Sequence, residues 1–240
     1  MFESPRGHLP ATNTLELIAE MTTPKIPARK QYGSDEESLT EWIMVHKREV
    51  TWALVALAII VGGVWFYERS QSIKAQRAEA AYFQARQSAA AGNLPLAVSD
   101  FQKVVNRYEG TRAGAQAALS LAQTLYDQKK FKEGIAALKK AEAKAPQEFK
   151  ASIHVLAAAG YEELTDFISA AGEYKVAAQA TRFPADKAEY QASAARDLMT
   201  GGKTEEAKAI WTELAKDEAT PAAAEARVRL GEVEAKPMGT

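Results

Sequence analysis

Residues 115–150 read AQAALSLAQTLYDQKKFKEGIAALKKAEAKAPQEFK. Ala122 stands at the eighth place of this stretch, Gly134 at the twentieth and Leu138 at the twenty-fourth, with the turn signal Lys129-Lys130 between the two small residues. The same order recurs in stretches that begin at Ala78, Ala151 and Ala188, at periods of 37, 36 and 37 residues, with turns at Gly92-Asn93, Thr165-Asp166 and Gly202-Lys203. Their eighth places are Ala85, Ala158 and Ala195, their twentieth Ala97, Ala170 and Ala207, and their twenty-fourth Phe101, Tyr174 and Trp211. Small residues let the two helices of a hairpin approach closely, and a large one fills the gap they leave. A generic alanine-rich bundle does not keep three positions in register through four units, so the pattern predicts a repeat array of helix-turn-helix units.

Outward from the repeats, composition agrees. The 173 residues from Glu68 to Thr240 are rich in alanine and poor in β-branched runs, which favours helices because Ala loses no side-chain entropy on entering one. That length suits one ordinary core. A last segment, Ala222 to Val233, carries Ala226, Leu230 and Val233 on one face and reads as the extra helix that caps such an array. The chain has 30 basic and 31 acidic residues, and the part after Tyr67 nets +1, so neither nucleic acid nor steering by a large field is expected. Cysteine is absent, which removes disulfides, thiolate metal sites and a cysteine nucleophile together.

Upstream lies a stretch of different character. Val50 to Tyr67 is 18 residues without charge, flanked by Lys47, Arg48 and Arg69, and as a helix it is about 27 Å long, close to a hydrocarbon core of about 30 Å. Trp52 at one end and Trp65, Phe66 and Tyr67 at the other favour the headgroup zone. We expect a transmembrane helix at 50–67 that remains as a signal anchor, since no A-x-A cleavage site follows. Residues 1–37, with Pro5, Pro10, Pro24 and Pro27 and the polar run from Gly33 to Ser38, read as a flexible N-terminal tail. Met21-Thr-Thr-Pro-Lys leaves the start open between Met1 and Met21. Residues 38–49, where Leu39, Trp42, Ile43 and Val45 have helical spacing behind Ser38, read as a membrane-flanking amphipathic segment. Residues 68–240 form the repeat domain with its cap.

Candidate chemistry is sparse. His8, His46 and His154 are too scattered for a metal set, and His154 reads as a satisfied structural residue. Gly202-Lys203-Thr204 imitates the end of a phosphate loop, but Asp197 stands where that loop needs glycine and no strand precedes it. The lysines of the second unit, interleaved with Asp127, Glu133 and Glu142, read as a solvated face. No enzyme and no cofactor is expected. Within the span, Ala58 and Gly62 are two small residues four apart, a candidate contact with another transmembrane helix.

The small, small, large order resembles the tetratricopeptide repeat, whose unit is about 34 residues. The period is longer here, and only Pro146 falls at the family's proline place, with Pro184 and Pro221 two residues late. The resemblance implies an all-α fold: one transmembrane helix followed by an α-solenoid of about four helix-turn-helix repeats. By the family's usual facing, the first helices would present a partner-binding groove of Tyr82, Arg86, Leu119, Gln123, Tyr126, Val155, Glu162, Arg196 and Met199, suited to an extended peptide or a partner helix. The carboxylate clamp of chaperone-binding members needs convergent Lys and Asn; Tyr82 and Arg86 occupy two of those places, so that activity is not implied.

Tail, span and repeats together resemble the YfgM-type proteins of the bacterial inner membrane, ancillary to the SecYEG translocon. That resemblance implies a single-pass protein of the bacterial cell inner membrane with a periplasmic C-terminal domain, whose partners are the lipid bilayer, the SecYEG translocon and periplasmic chaperones or translocating clients. The alternative is a structural subunit that binds other subunits of a large membrane complex. Charge leaves orientation open, with Lys30, Lys47 and Arg48 before the span and Arg69, Lys74, Arg77 and Arg86 after it.

Overall fold

The computed structural model describes residues 42–217 and 220–235, so the tail at 1–37 and the first residues of the flanking segment lie outside the described residues. The described elements are helices, with no strand among the described residues. The chain divides into two compact units at Gly63/Val64, inside the helix α1 (Lys47–Ala90). In the first unit residues 42–45 are helical and the Trp42 ring stacks on His46 at 4.9 Å. α1 is long and apolar enough to cross a membrane, and none of its apolar window is buried. Ala58 and Gly62 are both exposed, and a Cβ built on Gly62 meets nothing.

The second unit is a run of hairpins. The C-terminal part of α1 pairs with α2 (Leu94–Arg107), α3 (Arg112–Asp127) with α4 (Phe131–Glu142), α5 (Gln147–Glu163) with α6 (Phe167–Ala180), and α7 (Pro184–Thr200) with α8 (Thr204–Leu214); α9 (Pro221–Glu234) follows. Pro184 and Pro221 sit in the first turns of α7 and α9, where a missing N–H costs no hydrogen bond.

The fifteenth residue of every repeat, Gly92, Lys129, Thr165 and Gly202, has positive φ, between 58° and 77°. In each hairpin its N–H and the next one turn back on the helix. In the second repeat Lys129 N–H donates to the Tyr126 carbonyl at 2.8 Å and Lys130 N–H to that of Leu125 at 2.9 Å. Pairs at the same places close the other three turns. This is the Schellman end, which requires one left-handed residue. A one-residue device repeated at constant place is what keeps the register across units of 36 and 37 residues.

The core is parcelled between neighbours, as a linear array demands. One cluster joins Ala78, Ala85, Ala97 and Phe101 to Ala117 and Leu121 of α3. The next joins Ala122, Tyr126 and Leu138 to Ile153 and Ala157 of α5. The third runs from Ala158 through Tyr174, Ala195 and Trp211 to Ala222 and Ala226 of α9. All four eighth-place alanines are fully buried, the twentieth-place residues are buried, and the large residues at the twenty-fourth are at most 9 % exposed. α9 covers the end of the third cluster with Ala222 and Ala226 and leaves Arg227 and Val228 exposed.

Candidate functional site

α1 and α3, the first helices of the first two repeats, run side by side and leave a cleft of about 400 Å³ between their outer faces. Tyr82, Phe83 and Arg86 line it from α1, and Gln116, Leu119 and Ser120 from α3. Spacings of three and four residues put each set on one helix face. Tyr82 is held at the floor: its ring lies 6.0 Å from Phe101 and its hydroxyl is 3.1 Å from Ser120 Oγ. Phe83 is 63 % exposed and has no core role, while Arg86 and Glu79 place opposite charges at the rim.

Of the groove residues expected from sequence, the structure brings Tyr82, Arg86 and Leu119 together here. Gln123 is one turn further along α3, exposed, with its amide donating to Asp127 Oδ1 at 3.3 Å. Tyr126 does not reach this surface. It is 7 % exposed, its hydroxyl donates to the Leu156 carbonyl at 3.1 Å, and its ring lies over Gly134. Val155 and Met199 are partly buried against the third core cluster. Glu79, Phe83, Gln116 and Ser120 line the cleft beyond the residues expected from sequence; an aromatic at a place the repeat pattern does not use is the signal that finds Phe83.

Glu162 and Arg196 belong to other polar groups. Arg196 is fastened to Glu225 at 2.8 Å and Glu189 at 2.9 Å. Beside it Asp197 is 6 % exposed, and its Oδ2 has no hydrogen-bond partner among the described residues. Burial first, and then the Glu162 carboxylate, push Asp197 up to about 7, against the pull of Arg196. Burial and Glu162 likewise push the Tyr174 phenol up.

A second buried polar group joins repeats two and three. His154 presents Nδ1 to Glu173 Oε2 at 2.8 Å and Nε2 to Glu142 Oε1 at 3.2 Å, and Lys139 pairs with the other Glu173 oxygen. Burial alone would raise the Glu173 carboxyl, but hydrogen bonds from Lys139 and His154 outweigh it and hold it below the usual range. Among the described residues no group of three His, Cys, Asp or Glu could hold a metal ion. Nothing here sets a nucleophile against a base, and both polar groups lie within the packing between hairpins.

The fold is therefore an all-helical, tetratricopeptide-repeat-like array, a class that generally serves as a scaffold for protein interactions and is generally non-catalytic. Residues 40–156 match the family model described as tetratricopeptide repeat-like domain, a range that takes in the apolar run as well as the first two hairpins. No curated protein matches the chain. Among solved structures, it is similar to a putative kinesin light chain with nearly identical TPR-like repeats from Podosopora anserina, at 15 % identity and a TM-score of 0.49, covering 65 % of this chain and 84 % of that one. It is also similar to a thermophilic TPR protein of Thermus thermophilus, at 22 % identity and a TM-score of 0.42, covering 77 % of this chain and 95 % of that one. BtubC from P. vanneervenii is similar at 13 % identity with a TM-score of 0.48, covering 86 % and 91 % respectively.

Proposed function

We propose that this chain is a membrane-anchored protein-interaction scaffold, in which Val50–Tyr67 crosses a bilayer once and the hairpins hold an extended peptide or a partner helix in the cleft between α1 and α3. The observation that carries the reading is the cleft itself: exposed Phe83 and partly buried Tyr82 and Leu119 stand beside Arg86 and Glu79 in an open trough. Mixed aromatic, aliphatic and charged lining suits a polypeptide, whereas a metabolite site is enclosed and has convergent polar groups. A photo-crosslinking residue in place of Phe83 in the full chain, in native membranes, should give discrete protein adducts that are lost with Tyr82→Ala/Leu119→Ala. The same probe in place of Val228 on α9 should give none, and equal labelling from both places rejects the cleft.

The order of span and repeats, and the resemblance built on it, support a bacterial inner-membrane factor associated with the translocon, its repeats periplasmic and engaging chaperones or clients. The fixed form of the same scaffold is a structural subunit of a larger membrane complex. Substoichiometric adducts to many unfolded chains point to the first, and one stoichiometric, detergent-resistant partner to the second. Protease protection of the repeats in intact spheroplasts overturns the periplasmic assignment.

A further inference from the structure

The apolar run ends, within the second unit, on three exposed aromatics, Trp65, Phe66 and Tyr67. Directly beyond them α1 carries Arg69, Lys74 and Arg77, and these line a cleft of about 450 Å³ closed on its other side by Arg107 and Tyr108 from the end of α2. Phe66 and Ile73 give this cleft apolar walls, and no carboxylate lines it. Spacings of three and four residues from Phe66 to Arg77 set the α1 contributors on one face.

Among the described residues neither Arg69 nor Arg77 is paired with an acid. Arg107 is exposed and rests on the Tyr108 ring at 5.8 Å. Lys74 is tied by its Nζ to the Glu109 carbonyl at 3.0 Å, which fixes the α1 side of the cleft to the loop after α2. Glu68 is the one acid among these α1 positions, and it does not line the cleft. Arg69, Arg77 and Arg107 round an apolar-walled cleft, with Lys74 partly answered by the nearby Glu109 carboxylate, leave an excess of positive charge that suits an anion, and arginine in particular grips phosphate through two parallel N–H groups.

We propose that this cleft binds the phosphate of one anionic phospholipid headgroup, with Phe66 and Ile73 against its glycerol and upper acyl segments. The assignment rests on the reading of Val50–Tyr67 as a membrane span. Position selects the lipid over a free phosphate. Arg69 lies two residues past Tyr67, about 3 Å along the helix, and helical side chains lean toward the helix N-terminus, so Arg69 and Arg77 lean back toward the aromatics and the headgroup layer while Lys74 holds the Glu109 carbonyl. Arg107 distinguishes a site from diffuse attraction, since it comes from another helix and completes the ring of charge.

The test places the full chain in nanodiscs of equal phosphatidylglycerol and phosphatidylcholine, extracts it in mild detergent and identifies retained lipid by native mass spectrometry. Wild type should keep phosphatidylglycerol in preference. Arg69→Gln and Arg107→Gln should each lower that preference about fivefold, the effect expected for one basic residue at an anionic surface. The exposed Lys132→Gln serves as control, with far-UV circular dichroism showing that each variant is folded. Failure of the chain to enter nanodiscs removes the membrane span, and the lipid site with it. Entry with no lipid preference, or Arg107→Gln behaving as Lys132→Gln, removes the site and leaves the span. Loss of retained lipid to millimolar inorganic phosphate would assign the cleft to a soluble anion and overturn the proposal.

Discussion

The hydroxyl of Tyr126 occupies the space over Gly160 that a Cβ would fill, and from there it donates to the Leu156 carbonyl at 3.1 Å. Its ring covers Gly134 in the same manner, so one side chain on α3 keys together α4 and α5. Gly160→Ala should therefore lower Tm although alanine is the better helix former by about 0.5–1 kcal/mol. Overpacking of this kind costs about 1–3 kcal/mol. In a Tyr126→Leu background the same substitution should cost less, because the obstructing phenol is gone and only Ile135 Cγ1, 2.8 Å from that Cβ, still has to give. Additive effects of the two changes, followed by circular dichroism, would sink the keying argument.

Lys129 and Thr165 hold left-handed backbone that Gly92 and Gly202 hold without strain. A non-glycine residue there costs about 1–2 kcal/mol, most for a β-branched one. Thr165→Gly should stabilise more than Lys129→Gly. A Cβ built on Gly92 or Gly202 meets nothing, so Gly92→Ala and Gly202→Ala report the backbone cost alone and should destabilise. Thermal melts of these four variants check the signs.

Such turns explain what was legible in the sequence. The eighth, twentieth and twenty-fourth places are set by how closely two helices approach, a constraint identical in each unit, so spacing alone exposes it. Tyr126 was not legible because its twelfth place holds Ala89, Glu162 and Met199 in the other repeats. Only the meeting of Gly134 with Gly160 across a repeat boundary makes room for it. Of the residues that line the cleft, Tyr82, Arg86 and Leu119 follow from the facing of the first helices, whereas Glu79, Gln116 and Ser120 depend on the space left between two outer faces, which no period encodes.

The residue after each turn caps the second helix, and its backbone is nearly the same in all four repeats. Asn93 and Asp166 accept from the N–H three residues on, at 3.2 and 3.1 Å, while Lys130 and Lys203 supply no side-chain cap. Lys130→Asp and Lys203→Asp should each add about 1 kcal/mol, and Asp166→Ala should remove about as much. Equal Tm values for Lys130→Asp and Lys130→Ala would show that the cap contributes nothing there.

Glu173, held below the usual carboxyl range, favours the folded state while it is ionised. Its contribution is complete above the unfolded glutamate value of about 4.3 and is lost as pH falls through the lower folded value. Glu173→Gln should lower stability near neutrality by about 1–3 kcal/mol, since the negative charge is lost and one of the two oxygens that Lys139 and His154 use becomes a donor amide. It should also flatten the acid limb of a Tm-against-pH curve, and an unchanged limb would place that acid sensitivity elsewhere.

Asp197 carries the opposite sign. Its folded value is raised to about 7, chiefly by burial and then by Glu162, so the folded state keeps a proton that the unfolded chain releases near 3.9. Between about pH 4 and 7 this carboxyl holds more proton in the native state than in the unfolded one, so its contribution to stability falls as pH rises through that window. Asp197→Asn fixes the neutral form. It should remove this group's contribution to the slope and leave the protein more stable than wild type at about pH 8, with little difference at about pH 4. Glu162→Gln removes the repelling neighbour and should move the slope to lower pH, while Arg196→Gln should move it higher. Melting the full chain in detergent across this range measures all three, and a wild-type curve that rises from about pH 4 to 7 in parallel with Asp197→Asn would exclude a buried proton at this carboxyl.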